Sequence, residues 1–192
     1  MTTRVFIVHR WGGLATDNWY QWLKTELEKE NIEVYIPQMP ETDTPHIATW
    51  VPALARVVGS PDERTFFVGH SMGNQTIARY LETLPDDLKI GGVVFVAPFM
   101  KRLTNLEPDV ETQTIANEWL TTPLDLTKVR SHLTKSTAIF SDNDQYVPID
   151  NQDDFLNKLD SKIVLEHNLG HMSPSDGILK VESIKESILG LI

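Results

Sequence analysis

Ser71, Asp144 and His171 are the residues of this chain whose types, order and surroundings could do chemistry together. Ser71 is the centre of Gly69-His70-Ser71-Met72-Gly73, a G-x-S-x-G pentapeptide. Before it, Thr65-Phe66-Phe67-Val68 reads as a buried strand. After it, Gln75–Leu84 reads as a helix, with Ile77, Tyr80, Leu81 and Leu84 marking an apolar face. A strand, a sharp turn and a helix are the setting of a nucleophile elbow, whose strained backbone exposes a serine hydroxyl at the carboxyl end of a strand. The flanking glycines remove Cβ atoms that would collide where strand and helix close up. The pentapeptide alone also describes a plain glycine-rich turn, so the downstream residues decide.

Those residues supply an acid and then a histidine, the chain order of an α/β-hydrolase triad. The apolar run Thr137-Ala138-Ile139-Phe140 leads into Ser141-Asp142-Asn143-Asp144-Gln145-Tyr146-Val147-Pro148. Asp142 and Asp144 both qualify. Asp144 is preferred because it stands three residues before Val147-Pro148, the small-x-x-Asp-x-x-Val-Pro spacing of acid loops in this kind of fold, whereas Asp142 fits an Asx-capped turn. A calcium loop would need an oxygen ligand at Tyr146 and a glycine at Val147. His171, in Leu169-Gly170-His171-Met172, follows the strand candidate Ile163–Leu165 and precedes the last helix. It would take the Ser71 proton as general base and return it to the leaving group, with Asp144 holding its tautomer. His167 is the alternative base. His70 is expected to point away from the crevice and pack, and His46 and His132 are expected at the surface. No histidine pair has zinc spacing and the chain has no cysteine.

An oxyanion formed at this serine needs backbone N–H donors. One is expected from Met72, the residue after the nucleophile. The other should come from Arg10 or Trp11 in His9-Arg10-Trp11-Gly12-Gly13, the turn after the apolar run Val5–Val8. Trp11 and His9 are expected at the substrate, while Trp19 and Trp22 read as core.

Strand and helix candidates alternate along the chain. The strands are Arg4–Val8, Ile32–Ile36, Thr65–Val68, Gly92–Val96, Thr137–Phe140 and Lys162–Glu166. The helices are Asn18–Glu30, Ile47–Val58, Gly73–Leu84, a region within Thr112–Ser131, Asn151–Leu159 and Gly177–Leu189. Such alternation implies a parallel sheet with helices on both faces, in one domain over residues 1–192. About six strands are expected, in order 2-1-3-4-5-6. Ser71, Asp144 and His171 then fall just past the carboxyl ends of strands three, five and six, where open α/β sheets place their sites. The segment from Pro98 to about Thr127 is the one stretch long enough for a flap, and no large cap is expected.

The chain has 192 residues, 27 acidic and 17 basic, for a formal charge of −10. That balance argues against nucleic-acid binding. No apolar run approaches a membrane span, the amino terminus lacks the pattern of a signal peptide, and the absence of cysteine fits a cytoplasmic location.

The sequence resembles the small serine hydrolases related to retinoblastoma-binding protein 9 and bacterial YdeN. The resemblance rests on Asn18-Trp19-Tyr20-Gln21-Trp22-Leu23, Met39-Pro40, Trp50, the Ser71 pentapeptide, Ser141–Pro148 and Gly170-His171. It implies an α/β-hydrolase fold without a large cap and Ser71, Asp144 and His171 as a triad. The expectation is therefore a serine hydrolase that cleaves a carboxylic ester with a small or medium acyl chain, a thioester or short amide being admitted, without cofactor or metal. The alternatives are a protein-binding scaffold that keeps the fold with little activity, or a lyase or acyltransferase using the same triad.

Overall fold

A computed structural model describes residues 2–192, apart from the side chain of Asn18. Six strands form one parallel sheet: β1 (Arg4–Val8), β2 (Glu33–Tyr35), β3 (Thr65–His70), β4 (Ile90–Val96), β5 (Leu133–Ser141) and β6 (Lys162–Glu166). Their order is β2-β1-β3-β4-β5-β6, as expected. The helices are α1 (Asn18–Glu28), α2 (Ile47–Val58), α3 (Met72–Glu82), α4 (Val110–Thr121), α5 (Leu126–His132), α6 (Gln152–Leu159) and α7 (Glu182–Leu191). No helix among the described residues is long and apolar enough to cross a membrane.

The period-two geometry of the strands divides the core. On β1, Phe6 and Val8 pack into a cluster with Trp50, Leu54, Ile77 and Leu81 of α2 and α3. Val5 and Ile7 point the other way, to Trp19, Leu23 and Ile184 of α1 and α7. β3 and β4 are buried along their whole length, which explains their unbroken apolar runs. Trp19 lies in this core and Trp22 is half-buried against it.

Local signals misplace some boundaries. The last helix begins at Glu182 rather than Gly177, because a 3-10 turn at Pro174–Asp176 and the left-handed Gly177 (φ 73°) precede it. The helical region expected within Thr112–Ser131 is two helices, each capped by an aspartate: Asp109 accepts from the Thr112 N–H and Asp125 from the Lys128 N–H. His132, expected at the surface, is fully buried. It is the last residue of α5, and its Nδ1–H donates to the Leu88 carbonyl at 2.8 Å. The flap expected over 98–127 is no free lid, since Trp119 is buried and its Nε1–H donates to the Pro45 carbonyl at 2.9 Å.

Candidate active site

Ser71 is the single residue between β3 and α3, with φ 51° and ψ −115°. Such a backbone costs an L-residue about 1–3 kcal/mol and persists only when its surroundings impose it. Here the Ser71 N–H donates to the Val96 carbonyl at the end of β4, 2.9 Å away. Asn74 Nδ2 donates to the same carbonyl at 2.8 Å, and the Asn74 N–H donates to the Ser71 carbonyl at 3.0 Å. A Cβ on Gly73 would lie 2.1 Å from the Val8 carbonyl oxygen, and one on Gly69 would lie 2.4 Å from Asn74 Oδ1. Both glycines are therefore required by close approach, of α3 to β1 and of the elbow to its own helix.

Asp144 and His171 meet where the loops after β5 and β6 converge. His171 Nδ1 is 2.8 Å from Asp144 Oδ2, and the two side chains are 7 % and 2 % exposed. Asp144 Oδ1 accepts from the N–H groups of Tyr146 (2.8 Å) and Val147 (3.0 Å), so the carboxylate is fixed from both sides. The backbone turns left-handed on each side of His171, at Gly170 (φ 58°) and Met172 (φ 54°). Asn143 Oδ1 ties the two loops together by accepting from the Gly170 N–H at 2.8 Å and the Ser141 hydroxyl.

The other carboxylate and the other histidine of these loops pair with each other. The His167 Nδ1–H donates to Asp142 Oδ2 at 2.5 Å, with the side chains 72 % and 38 % exposed. The pair holds Asp142 below the usual carboxylate range, first through the Asn168 N–H and then His167, and raises His167 through Asp142. Neither residue borders the cavity that Ser71 and His171 share.

That cavity holds about 210 Å³ and is lined by Arg10, Trp11, Ser71, Met72, Phe99, Leu103, Leu106, Tyr146, His171, Ser173 and Ser175. Its lining is mostly apolar, with one charged side chain, Arg10, whose guanidinium is paired with Asp17 at 3.4 Å. The Tyr146 ring stands edge-on to the His171 ring, with centroids 5.2 Å apart. The Asp144 loop was legible in the sequence, but nothing local marks Tyr146 as facing the histidine. One buried amide holds the cavity wall together. Asn151 Oδ1 accepts from the Met100 and Lys101 N–H groups, and its Nδ2 donates to the Arg102 and Pro148 carbonyls.

One expectation for the turn after β1 changes. His9 is wholly buried and does not line the cavity. Its Nδ1–H donates to the Arg10 carbonyl at 2.9 Å and its Nε2 accepts from the Met39 N–H at 3.0 Å, while burial lowers its pKa. With both nitrogens engaged by backbone, it braces the turn. Trp11 does line the cavity, and its indole N–H donates outward to the Asp43 carbonyl at 2.8 Å. The Arg10 N–H donates to Tyr20 Oη at 3.3 Å, whereas among the described residues the Trp11 N–H has no partner. The Met72 N–H is the first of α3, and so lacks an intrahelical acceptor.

Residues 5–188 match the family model described as serine hydrolase. The protein YdeN of Bacillus subtilis (strain 168) is 28% identical over 177 residues, which is 92% of this chain and 90% of YdeN. The serine hydrolase RBBP9 of Rattus norvegicus is 24% identical over 166 residues, 86% of this chain and 83% of that protein. The crystal structure of the B. subtilis ydeN gene product superposes with a TM-score of 0.89 at 25% identity, covering 99% of this chain and 98% of that one. Est1E from Butyrivibrio proteoclasticus shares the fold alone, with a TM-score of 0.74 at 14% identity and coverage of 99% and 88%. An elbow serine, a buried Asp–His pair and a six-stranded parallel sheet matched along nearly the entire chain make this protein an enzyme that belongs to the serine hydrolase family.

Proposed function

We propose that the enzyme cleaves carboxylic esters through an acyl-enzyme formed on Ser71. The observation that carries this reading is that the buried Asp144–His171 pair and the strained Ser71 open onto one small apolar cavity. Asp144 accepts the His171 Nδ1–H, which leaves Nε2 as the free base. The Ser71 hydroxyl adds to the ester carbonyl as its proton passes to Nε2. The resulting oxyanion is bound by the N–H groups of Met72 and Trp11. Trp11 is favoured over Arg10 because the Arg10 amide is engaged by Tyr20. The intermediate collapses, the alkoxide leaves with the proton from His171, and water repeats the sequence to release the acid.

A cavity of about 210 Å³ is smaller than the roughly 300–1,000 Å³ of sites that hold drug-sized ligands. Phe99, Leu103 and Leu106 give it an apolar wall, so an acyl group of short to medium length fits it best.

Intact mass after exposure to a fluorophosphonate tests the reading, with Ser71→Ala as control. One adduct on the wild type, none on the variant, and turnover of p-nitrophenyl acetate lost with the serine are expected. Unchanged turnover in Ser71→Ala would overturn the assignment. A folded wild type that takes no adduct would favour the scaffold alternative.

A further inference from the structure

Two carbonyls in the His171 turn are held from behind by side chains outside the proposed triad. His70 Nε2 lies 2.8 Å from the His171 carbonyl oxygen, and Trp19 Nε1 donates to the Met172 carbonyl at 2.8 Å. His70 Nδ1 lies 2.6 Å from Tyr20 Oη, which itself accepts from the Arg10 N–H. Trp19, Tyr20 and His70 are all buried, their rings pack on one another, and the His70 ring also packs on that of His171.

The donors and acceptors in this chain have one consistent assignment. A carbonyl only accepts, so His70 Nε2 carries a proton. Burial and the neighbouring His171 hold His70 well below its ordinary pKa, so the ring is neutral and Nδ1 is an acceptor. Tyr20 must then donate its hydroxyl proton to Nδ1, which leaves the oxygen lone pairs for the Arg10 N–H. The order is Arg10 N–H to Tyr20, Tyr20 O–H to His70, and His70 N–H to the His171 carbonyl.

We infer that His70 and Tyr20 are positioning residues that set the oxyanion turn and the His171 turn against the Ser71 elbow as one unit. The inference rests on the ester-hydrolase reading above and deepens it. His70 is covalently next to Ser71, so any displacement of the elbow is transmitted to the His171 backbone through a single hydrogen bond. At the other end, Tyr20 engages the Arg10 amide and thereby leaves the Trp11 amide for the oxyanion. The positive φ of Met172 gives the clamp a physical need: a non-glycine residue in that region relaxes unless its neighbours hold it. Trp19 holds the carbonyl of that residue and His70 the carbonyl before it.

The test compares His70→Gln, His70→Leu and Tyr20→Phe with the wild type and Ser71→Ala. The readouts are kcat and KM on p-nitrophenyl acetate, fluorophosphonate labelling rate, and Tm. A glutamine amide can still donate to the His171 carbonyl and a leucine cannot. His70→Leu is expected to lose about 10²-fold in kcat with KM little changed, the scale of an ångström-level misplacement. His70→Gln should recover most of that loss although its Tm falls as far as that of His70→Leu. Tyr20→Phe should fall between them in kcat. The proposal is overturned if His70→Leu keeps wild-type kcat, or if activity follows Tm alone with no rescue by glutamine. Should His70→Leu not fold, Tyr20→Phe decides, and wild-type kcat there overturns the proposal. Retained turnover in Ser71→Ala would instead overturn the hydrolase reading, so the two failures are distinguishable.

Discussion

Asp144 stands 2.8 Å from His171 with only 2 % of its side chain exposed, while two residues upstream Asp142 makes the same kind of contact to His167 in the open. The two pairs arise from the same two loops and differ in what surrounds them. Solvent screens the outer pair, and surface ion pairs contribute little. In the inner pair the Tyr146 and Val147 amides hold Asp144, and His171 lines the cavity.

Replacing the two aspartates separates their roles. Asp144→Asn should lower kcat by about 10⁴-fold, because an amide cannot hold the imidazole in the required tautomer. Asp142→Asn should leave kcat within about threefold of wild type, since screened surface contacts carry little energy. Steady-state hydrolysis of p-nitrophenyl acetate measures both, and equal effects at the two positions would remove the acid role from Asp144.

Stability should fall in mild acid. His70 and His9 are buried, and burial lowers the pKa of each. In the unfolded chain both titrate near 6.5. Their neutral forms therefore impose no penalty above that pH, and stability is lost as pH drops below it toward the folded values. The slope is about 1.4 kcal/mol per pH unit for each histidine while the gap lasts. The exposed His167 acts in the opposite sense: its raised pKa gives stability that is present below 6.5 and lost as pH rises through the folded value. Screening keeps that term small, so Tm should decline from pH 7 to pH 5. A Tm unchanged over that interval would contradict neutral burial of His70 and His9.

Gly73→Ala should be the most damaging methyl addition in the elbow. The new carbon would sit 2.1 Å from the Val8 carbonyl oxygen and 2.8 Å from that of His9, both backbone atoms. Overpacking of this kind costs about 1–3 kcal/mol or more, a fall in Tm of roughly 2–12 °C at 2–4 °C per kcal/mol for a chain of this size. Because α3 must move away from β1, labelling of Ser71 should slow as well. Thermal melts and fluorophosphonate labelling read the two effects.

Asn151→Ala removes the amide that binds the Met100 and Lys101 N–H groups and the Arg102 and Pro148 carbonyls. These groups are only partly buried, so each lost hydrogen bond costs about 0.5–1.5 kcal/mol. Here the cavity wall that carries Leu103 also loosens, so KM should rise more than kcat falls. A lower Tm with unchanged KM would show that Asn151 supports the fold without shaping the cavity.

Leu106→Trp should narrow the cavity and move ester preference toward shorter acyl chains. A p-nitrophenyl ester series from acetate to octanoate measures the shift in kcat/KM. An unchanged profile would place the acyl group outside the Leu103–Leu106 wall.

The sequence by itself determined the elements whose signals are local. The apolar runs of β1, β3 and β4, the glycines that let Ser71 turn, the Asp144 loop ending in Val147-Pro148 and the glycine before His171 lie within a few residues of what they specify. Strand alternation with helices was enough to predict a parallel sheet, because parallel strands need crossover connections; the strand order is one of several that right-handed crossovers allow. Tertiary structure alone decided which polar groups meet across long stretches of chain. His9 was expected at the substrate and His132 at the surface, yet His9 is closed off by Met39, thirty residues away, and His132 by Leu88 across a span of 44. His70 read as packing, but its hydrogen bonds join residues 50 and 101 positions distant. Helix and strand formation answer to neighbours along the chain. The partner of a buried imidazole is whichever donor or acceptor the packed layers bring within 3 Å, and only the folded sheet brings Tyr20, His70 and His171 to one place.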